Sequence, residues 1–467
     1  MIILKFFSAW ILEARGGKSR SGRQILRARH LAGSFAHSSA FRAASPSAVG
    51  DLLKTHLYKS IAVFAWLVSV LTPGQAQETV RMSLASADAA AARRKAASTI
   101  GYYNLKIGPT AWRFGAALGL EYNDNVLLLE KDQEDDFIFR PQLNTEMLWP
   151  ITDQNAINLN LGVGYSIYLQ HSELNRLYIT PGSELSFDLY AGDFWINLHD
   201  RFSISEDSYQ DPTVIGTGNY SRLENALGLA ATWDLNKIIL RGGFDHVDYV
   251  GLTGDQGQPD GQSELLYVNA GYTIYPGMLG GIELGGGLLN YSGTNASFSN
   301  AKQWNAGVFF DTPVSEYIHF RGSVGYTDYI PEDPLTTNSF HDFTGVYAQL
   351  EIRHRLNEYV EYVLSGGRTI SFAFYGGSVD LFYARLLANW KIMRKIGLAT
   401  NLDFEHGKQG TFSGETFDRY GGGVTLSRPI TAKASAGLSY QIYWRTSDLQ
   451  NRDYLNNIVS LNFNYAF

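Results

Sequence analysis

Histidines near carboxylates are the first places where this chain could do chemistry: His199-Asp200, His246 and His406 each bring a group that titrates near neutrality close to one able to orient it. None is completed into a reactive set. No serine joins a histidine and an aspartate as a nucleophile, and no His-x-x-x-His spacing offers a metal site. The 467-residue chain has no Cys, which removes thiol nucleophiles, disulfides and Cys-bearing metal sites. Gly285-Gly286-Gly287 and Gly421-Gly422-Gly423 fall inside alternating segments, where small residues permit curvature or close approach rather than cradling phosphate. No catalytic residue, metal or cofactor is expected, and the chain reads as a non-enzyme.

The remaining charges are spaced for a wall. Arg113, Arg140, Arg201, Arg241, Arg321, Arg353, Arg385 and Arg445 share one parity of their segments with Glu146, Glu184, Asp188, Asp245 and Glu351, as do His319, Asp403 and Glu405. The opposite parity is apolar. From Ile157 to Gln170, Ile157, Leu159, Leu161, Val163, Tyr165 and Ile167 alternate with Asn158, Asn160, Gly162, Gly164, Ser166 and Tyr168, and Ala434 to Arg445 repeats the pattern. Period-two alternation means β-strands with one wet face and one apolar face. A soluble sandwich also alternates; a barrel in lipid places the apolar face outside and water, glycine and charge within.

Connection lengths decide between them. Long polar stretches (Asn123–Asp136, Glu206–Asn219, Gly251–Gly261, Tyr329–His341, Lys408–Gly414) alternate with tight ones (Gly192-Asp193, Leu235-Asn236, Pro276–Met278, Pro313-Val314, Arg394-Lys395). A sandwich has no reason to alternate in this way. The fold class expected is all-β: a transmembrane antiparallel up-and-down barrel of about 18 strands, with short periplasmic turns and long extracellular loops. Such a barrel is too wide for side chains to fill, leaving an aqueous lumen, and charges of both signs on its wall either orient polar solutes or pair with one another. Trp112, Trp149, Trp233 and Trp390 then face outward near the short-turn end, and Trp304 and Trp444, with Tyr122, near the long-loop end, as two membrane-interface girdles. The chain ends on outward-parity Phe463, Tyr465 and Phe467. A strand with a terminal Phe resembles the C-terminal signal that the barrel-assembly machinery reads in bacterial outer-membrane barrels, so these three are the expected assembly signal.

Mean hydropathy is slightly negative, and no run reaches the roughly 18 apolar residues that a spanning helix needs. At the amino end, the basic-flanked apolar stretch Ile61–Leu71 followed by Pro73-Gly74-Gln75-Ala76 reads as a signal peptide over 56–76, cut after Ala76. Residues 1–55 read as an overextended gene start, the true start lying at a non-AUG codon such as Val49 or Leu53, or else as a genuine basic leader. Residues 77–108 form a periplasmic lead-in and 109–467 the barrel. Residues 1–76 carry 10 Lys+Arg and 2 Asp+Glu, so their removal takes the formal charge from −7 to −15. No nucleic-acid partner is implied. The expected partners are membrane lipid and lipopolysaccharide, the assembly machinery, and a hydrophilic solute or polysaccharide.

The segment Leu118-Gly119-Leu120-Glu121-Tyr122-Asn123-Asp124-Asn125-Val126, followed by Phe137-Ile138-Phe139-Arg140-Pro141, resembles the putative beta-barrel porin 2 family. The resemblance in layout runs from about residue 110 to the end. It implies an outer-membrane channel in Gram-negative bacteria and, because some members are encoded with exopolysaccharide genes, a link to polysaccharide secretion or to a non-conducting scaffold in envelope assembly.

Overall fold

In a computed structural model, the described residues are 103–205, 212–214, 216, 221–252, 260–292, 300–332, 343–372, 378–409 and 414–467. The leader, the signal segment, most of the lead-in and much of the long stretches 206–219, 251–261 and 329–341 lie outside them. The strands are β1 (Leu105–Ile107), β2 (Thr110–Asn123), β3 (Asp136–Pro150), β4 (Ala156–Tyr168), β5 (Arg176–Ala191), β6 (Phe194–Ser205), β7 (Arg222–Asp234), β8 (Ile238–Gly251), β9 (Asp260–Tyr275) and β10 (Met278–Ser292). They continue with β11 (Ala301–Pro313), β12 (Ile318–Pro331), β13 (Phe343–Arg355), β14 (Val360–Phe372), β15 (Ser378–Met393), β16 (Ile396–Gln409), β17 (Thr416–Pro429), β18 (Ala434–Ser447) and β19 (Tyr454–Ala466). β2 to β19 pair antiparallel in chain order and β19 returns to β2, closing an 18-strand barrel. The expected fold class holds, with one addition: β1, inside the segment read as lead-in, is an extra strand.

The wall is one residue thick, and its two faces follow from side-chain period. On β9, Leu266, Val268, Tyr272 and Ile274 are exposed while Ser263, Leu265, Tyr267 and Asn269 are buried. The same sorting on the other strands leaves an outward band of exposed Leu, Ile, Val, Phe and Tyr, which a membrane-spanning wall requires. Inward aromatics reach across glycines of neighbouring strands: Tyr178 over Gly164, Tyr267 over Gly243, Tyr347 over Gly325 and on to Gly307 two strands away, and Phe417 over Gly407. A Cβ at any of these glycines would strike the ring, so the glycines keep large inward side chains pressed against the wall.

The short turns are built two ways. Gly192 and Gly277 take φ of 61° and 86°, which two-residue connections need. Four others are four- to five-residue loops in which Thr152, Ser315, Asn357 and Thr431 each accept two backbone N–H bonds from residues two and three further on. The Pro313-Val314 turn therefore extends to Tyr317, because the hydroxyl of Ser315 replaces a tight turn with a wider, internally bonded one.

The seam is held at both ends. β19 pairs with β2 from Ile458↔Asn123 to Ala466↔Gly115 and stops. β2 continues to Thr110 with its β3 edge occupied, and β1 pairs there through Leu105↔Trp112 to Ile107↔Thr110. β1 thus lies in line with the end of β19. Asn104 joins them: its Nδ2 donates to the Phe114 and Phe467 carbonyls at 2.9 and 3.2 Å, and its Oδ1 accepts from Phe114 N at 3.1 Å. At the other end Asp124 accepts from Asn457 N and Nδ2, both at 2.6 Å, and Asn125 donates to the Leu455 carbonyl.

Candidate functional site

The site a barrel offers is its inner wall, and here the two ends of that wall differ. From the short turns into the long-loop half, inward residues are charged and paired across neighbouring strands. Register alone sets Arg113 opposite Glu146 and Glu184 opposite Arg201; the first pair is in contact and the second lies at 2.9 Å. Arg140 reaches Glu121 at 3.4 Å, Asp311 meets His319 at 2.8 Å, and Arg353 sits 3.5 Å from Glu351. Arg385 contacts Glu405 at 2.8 Å and Asp403 at 3.6 Å, and Glu405 also takes Arg419 at 2.6 Å. Buried Asp188 accepts from Trp195 Nε1, Asn197 Nδ2 and Asn158 Nδ2 at 2.9 to 3.2 Å. Arg241, opposite Thr232 and Asn269, and Arg321, opposite Asp311 and Glu351, share the inward parity. Such cross-strand pairing satisfies the wall's charge locally.

Every arginine and carboxylate assigned to the wall in the sequence lies on an inward position, but not all meet open space. Arg353 is the most open of the ion-paired arginines, its side chain 58% exposed against 29% for Arg385. Arg445 corrects the lumen reading outright. It is fully buried, held at 2.7 Å by an equally buried Glu415 that also binds Arg452 at 2.6 Å, and it lies 4.4 Å over the Phe417 ring. Arg445 ties the end of β18 to its loop and lines no channel.

Toward the long loops the inward wall is buried, and apolar clusters sit beside the buried charged pairs. Val126 of the first loop and Leu174 of the β4–β5 connection pack on inward Ile138 and Tyr168. Ala226, Val247, Tyr249 and Leu265 form a second buried cluster, Leu289, Ala301 and Tyr329 belong to a third, and Val379, Leu381 and Phe417 a fourth. Leu128, Thr213 and Val214, also from loops, are buried. The Val126 and Leu174 segments of two loops therefore sit against the inner wall at the mouth. His171 straps the two: Nδ1 is 3.0 Å from Asp136 and Nε2 2.5 Å from Glu134. Burial works against its charge, but the hydrogen bonds and fields of Glu134 and Asp136 outweigh it and hold the imidazole pKa above its ordinary value.

The histidines resolve by register. His199 faces inward and meets Asp245 at 2.6 Å across Gly228, whose missing side chain leaves the path open. Its sequence neighbour Asp200 points to the other face and bonds Asn225. His246 with Glu264, and His406 with Asp418, are on the outer face just past the aromatic row of the long-loop end. The girdle tryptophans Trp112, Trp149, Trp233, Trp304, Trp390 and Trp444 all have outward register partners, and Phe463 and Tyr465 lie outward on β19. Phe467 N donates to the Phe114 carbonyl at 3.2 Å. Trp195, absent from the sequence reading, faces inward; the signal for it was its parity with Asn197 and His199.

A family model described as Putative beta-barrel porin 2 matches residues 113–467. No curated protein sequence matches the chain. Similar solved structures include OccK2 (OpdF) of Pseudomonas aeruginosa, 9% identical over 76% of this chain and 98% of that one with a TM-score of 0.45. A BenF-like porin of Pseudomonas fluorescens is 9% identical over 76% and 99%, with a TM-score of 0.45. OccAB3 of Acinetobacter baumannii is 10% identical over 77% and 100%, with a TM-score of 0.44.

Proposed function

The chain belongs to the Putative beta-barrel porin 2 family of outer-membrane barrels, and from that membership we propose that it is a passive channel for hydrophilic solutes in a Gram-negative outer membrane. The observation that carries the reading is the inner wall near the short turns, where Arg113 with Glu146, His319 with Asp311 and Arg353 with Glu351 set paired groups partly open to solvent. A wall of that kind passes polar solutes with weak charge preference. Saccharides, including an exported exopolysaccharide, fit such a wall, and Phe463, Tyr465 and Phe467 would be read by the assembly machinery. Purified protein in planar bilayers should conduct ions with weak selectivity. A folded barrel with no conductance would overturn the channel reading.

One observation favours a second reading, a non-conducting scaffold of envelope or exopolysaccharide assembly: the loop residues Val126 and Leu174 buried against the inner wall at the mouth. Substituting Val126 and Leu174 with Ser separates the two, because a channel gains conductance when its mouth loosens and a scaffold gains none.

A further inference from the structure

One strand leaves the wall halfway along its length. β5 pairs with β4 through Val163↔Ile179 and again through Asn160↔Glu184, so two residues of β4 face four of β5. Against β6, the pairings Ile179↔Ile204 and Ser183↔Phe202 set one residue against three. Both ladders carry the same two-residue excess, and an even excess leaves the parity of β5 unchanged on either side of it. Thr180-Pro181-Gly182-Ser183 accounts for it: proline second and glycine third, with Gly182 at a φ of 94°, are what a type II turn requires. With strands on both sides the turn can only arch out of the sheet, and it arches into the lumen. Thr180 lies over the inward side of Gly162, where a Cβ would strike its Oγ1, and inward Asn160 donates from Nδ2 to the Gly182 carbonyl at 3.3 Å. Ser183 fills the place that the backbone vacates: its Oγ accepts from Gly162 N at 3.2 Å and donates to the Thr180 carbonyl at 2.9 Å. Pro181, between them, is exposed and has no N–H to leave unsatisfied.

We propose that this arch narrows the lumen at mid-wall and sets the size of the solute that passes. The inference rests on the channel reading and gives it a place and a chemistry. The inner face beside the arch is uncharged: Asn160 and Thr180 flank it, and Asn144 lies opposite Gly162 with Gln142 one inward position further. The adjoining charges, Glu184 and Arg201, are spent on each other at 2.9 Å. A solute passing the ledge therefore meets amides, a hydroxyl and backbone carbonyls, which suit an uncharged, hydroxyl-rich molecule and discriminate by size and hydrogen bonding rather than by charge.

Deleting Pro181 and Gly182 together leaves Thr180 to pair with Gly162 and Ser203, and Ser183 with Leu161, so both ladders become regular and every other side chain keeps its face. In proteoliposome swelling, the deletion variant should admit the tetrasaccharide stachyose several-fold faster, relative to glucose, than the wild type does. An unchanged ratio in a folded, conducting variant would overturn the inference alone. Because the chain has no Cys, P181C supplies a second test that keeps the length of the arch. A bulky, water-soluble thiol reagent should lower the single-channel conductance of P181C, and the same treatment of L185C, exposed on the outward face of β5, should change nothing. A P181C thiol that does not react, or reacts without effect on conductance, would likewise overturn the inference. Silence from wild type and deletion variant alike would overturn the channel reading, and the inference with it.

Discussion

The two ends of the inner wall use the same strands for different work. Near the short turns, inward pairs such as Arg113–Glu146 and Arg353–Glu351 partly face solvent; near the long loops, the pairs Arg419–Glu405 and Arg445–Glu415 are buried beside clusters of Val, Leu, Tyr and Phe. One end tolerates water and the other excludes it. Stability should therefore be concentrated at the loop end and selectivity at the turn end, although both are built from the same period-two alternation.

The strongest way to break this comparison is at Glu415. Removing it leaves Arg445 buried and unpaired, and uncompensated buried charge costs about 3–5 kcal/mol. E415A should lower the urea midpoint of the detergent-folded barrel accordingly; a loss below about 1 kcal/mol would mean that the loop end is not where stability sits. Leu381 is fully buried on the inner wall, and L381A should cost about 2–5 kcal/mol by cavity formation. R353A, at an exposed pair, should cost about 1 kcal/mol or less in the same assay.

Selectivity sharpens the other half. In a conducting barrel, R353E should move the reversal potential toward cations, because that side chain is open to the lumen. The shift should shrink in high salt, where the screening length falls from about 10 Å at 0.1 M to about 3 Å at 1 M. R385E should shift it less than R353E and unfold more easily, since it faces Glu405 and Asp403. Equal shifts would show that pairing does not shield the wall.

The smallest effect is at the His171 strap. Its pKa is raised in the folded mouth, so the strap contributes fully below the ordinary histidine value of about 6.5 and is lost as pH rises through the higher folded value. Amide exchange at Leu169–Leu174, corrected for intrinsic rates, should accelerate over that rise and become pH-independent in H171A. Identical profiles for the two proteins would remove His171 from the mouth.

Faces were legible in the sequence because, with a period of two, one apolar row fixes the other as its opposite, and register then sets Arg113 beside Glu146 and Glu184 beside Arg201 on that second face. Partners were less legible. His199 pairs with Asp245 rather than adjacent Asp200 because neighbours in a strand point oppositely, and the true partner lies two strands away over a glycine. The burial of Arg445 was not legible at all. Parity says which way a side chain points, whereas burial depends on Glu415 and Arg452, which come from connections that alternation does not govern.

The clasp at Asn104 spans 363 residues of sequence to reach Phe467. Closure entropy grows only as the logarithm of length, about 0.6 kcal/mol per doubling. Going from a hairpin loop of about ten residues to this span is about five doublings, or about 3 kcal/mol in total. That is comparable to a few backbone hydrogen bonds, and the Asn104, Asp124 and Asn125 bonds flank the seam where they can offset it. What the span governs is time. The strands between must be laid down before the two edges can meet, so the ring is slow to complete, and its join, nine register pairs against thirteen between β2 and β3, is a short pairing that the Asn104 and Asp124 bonds extend at either end.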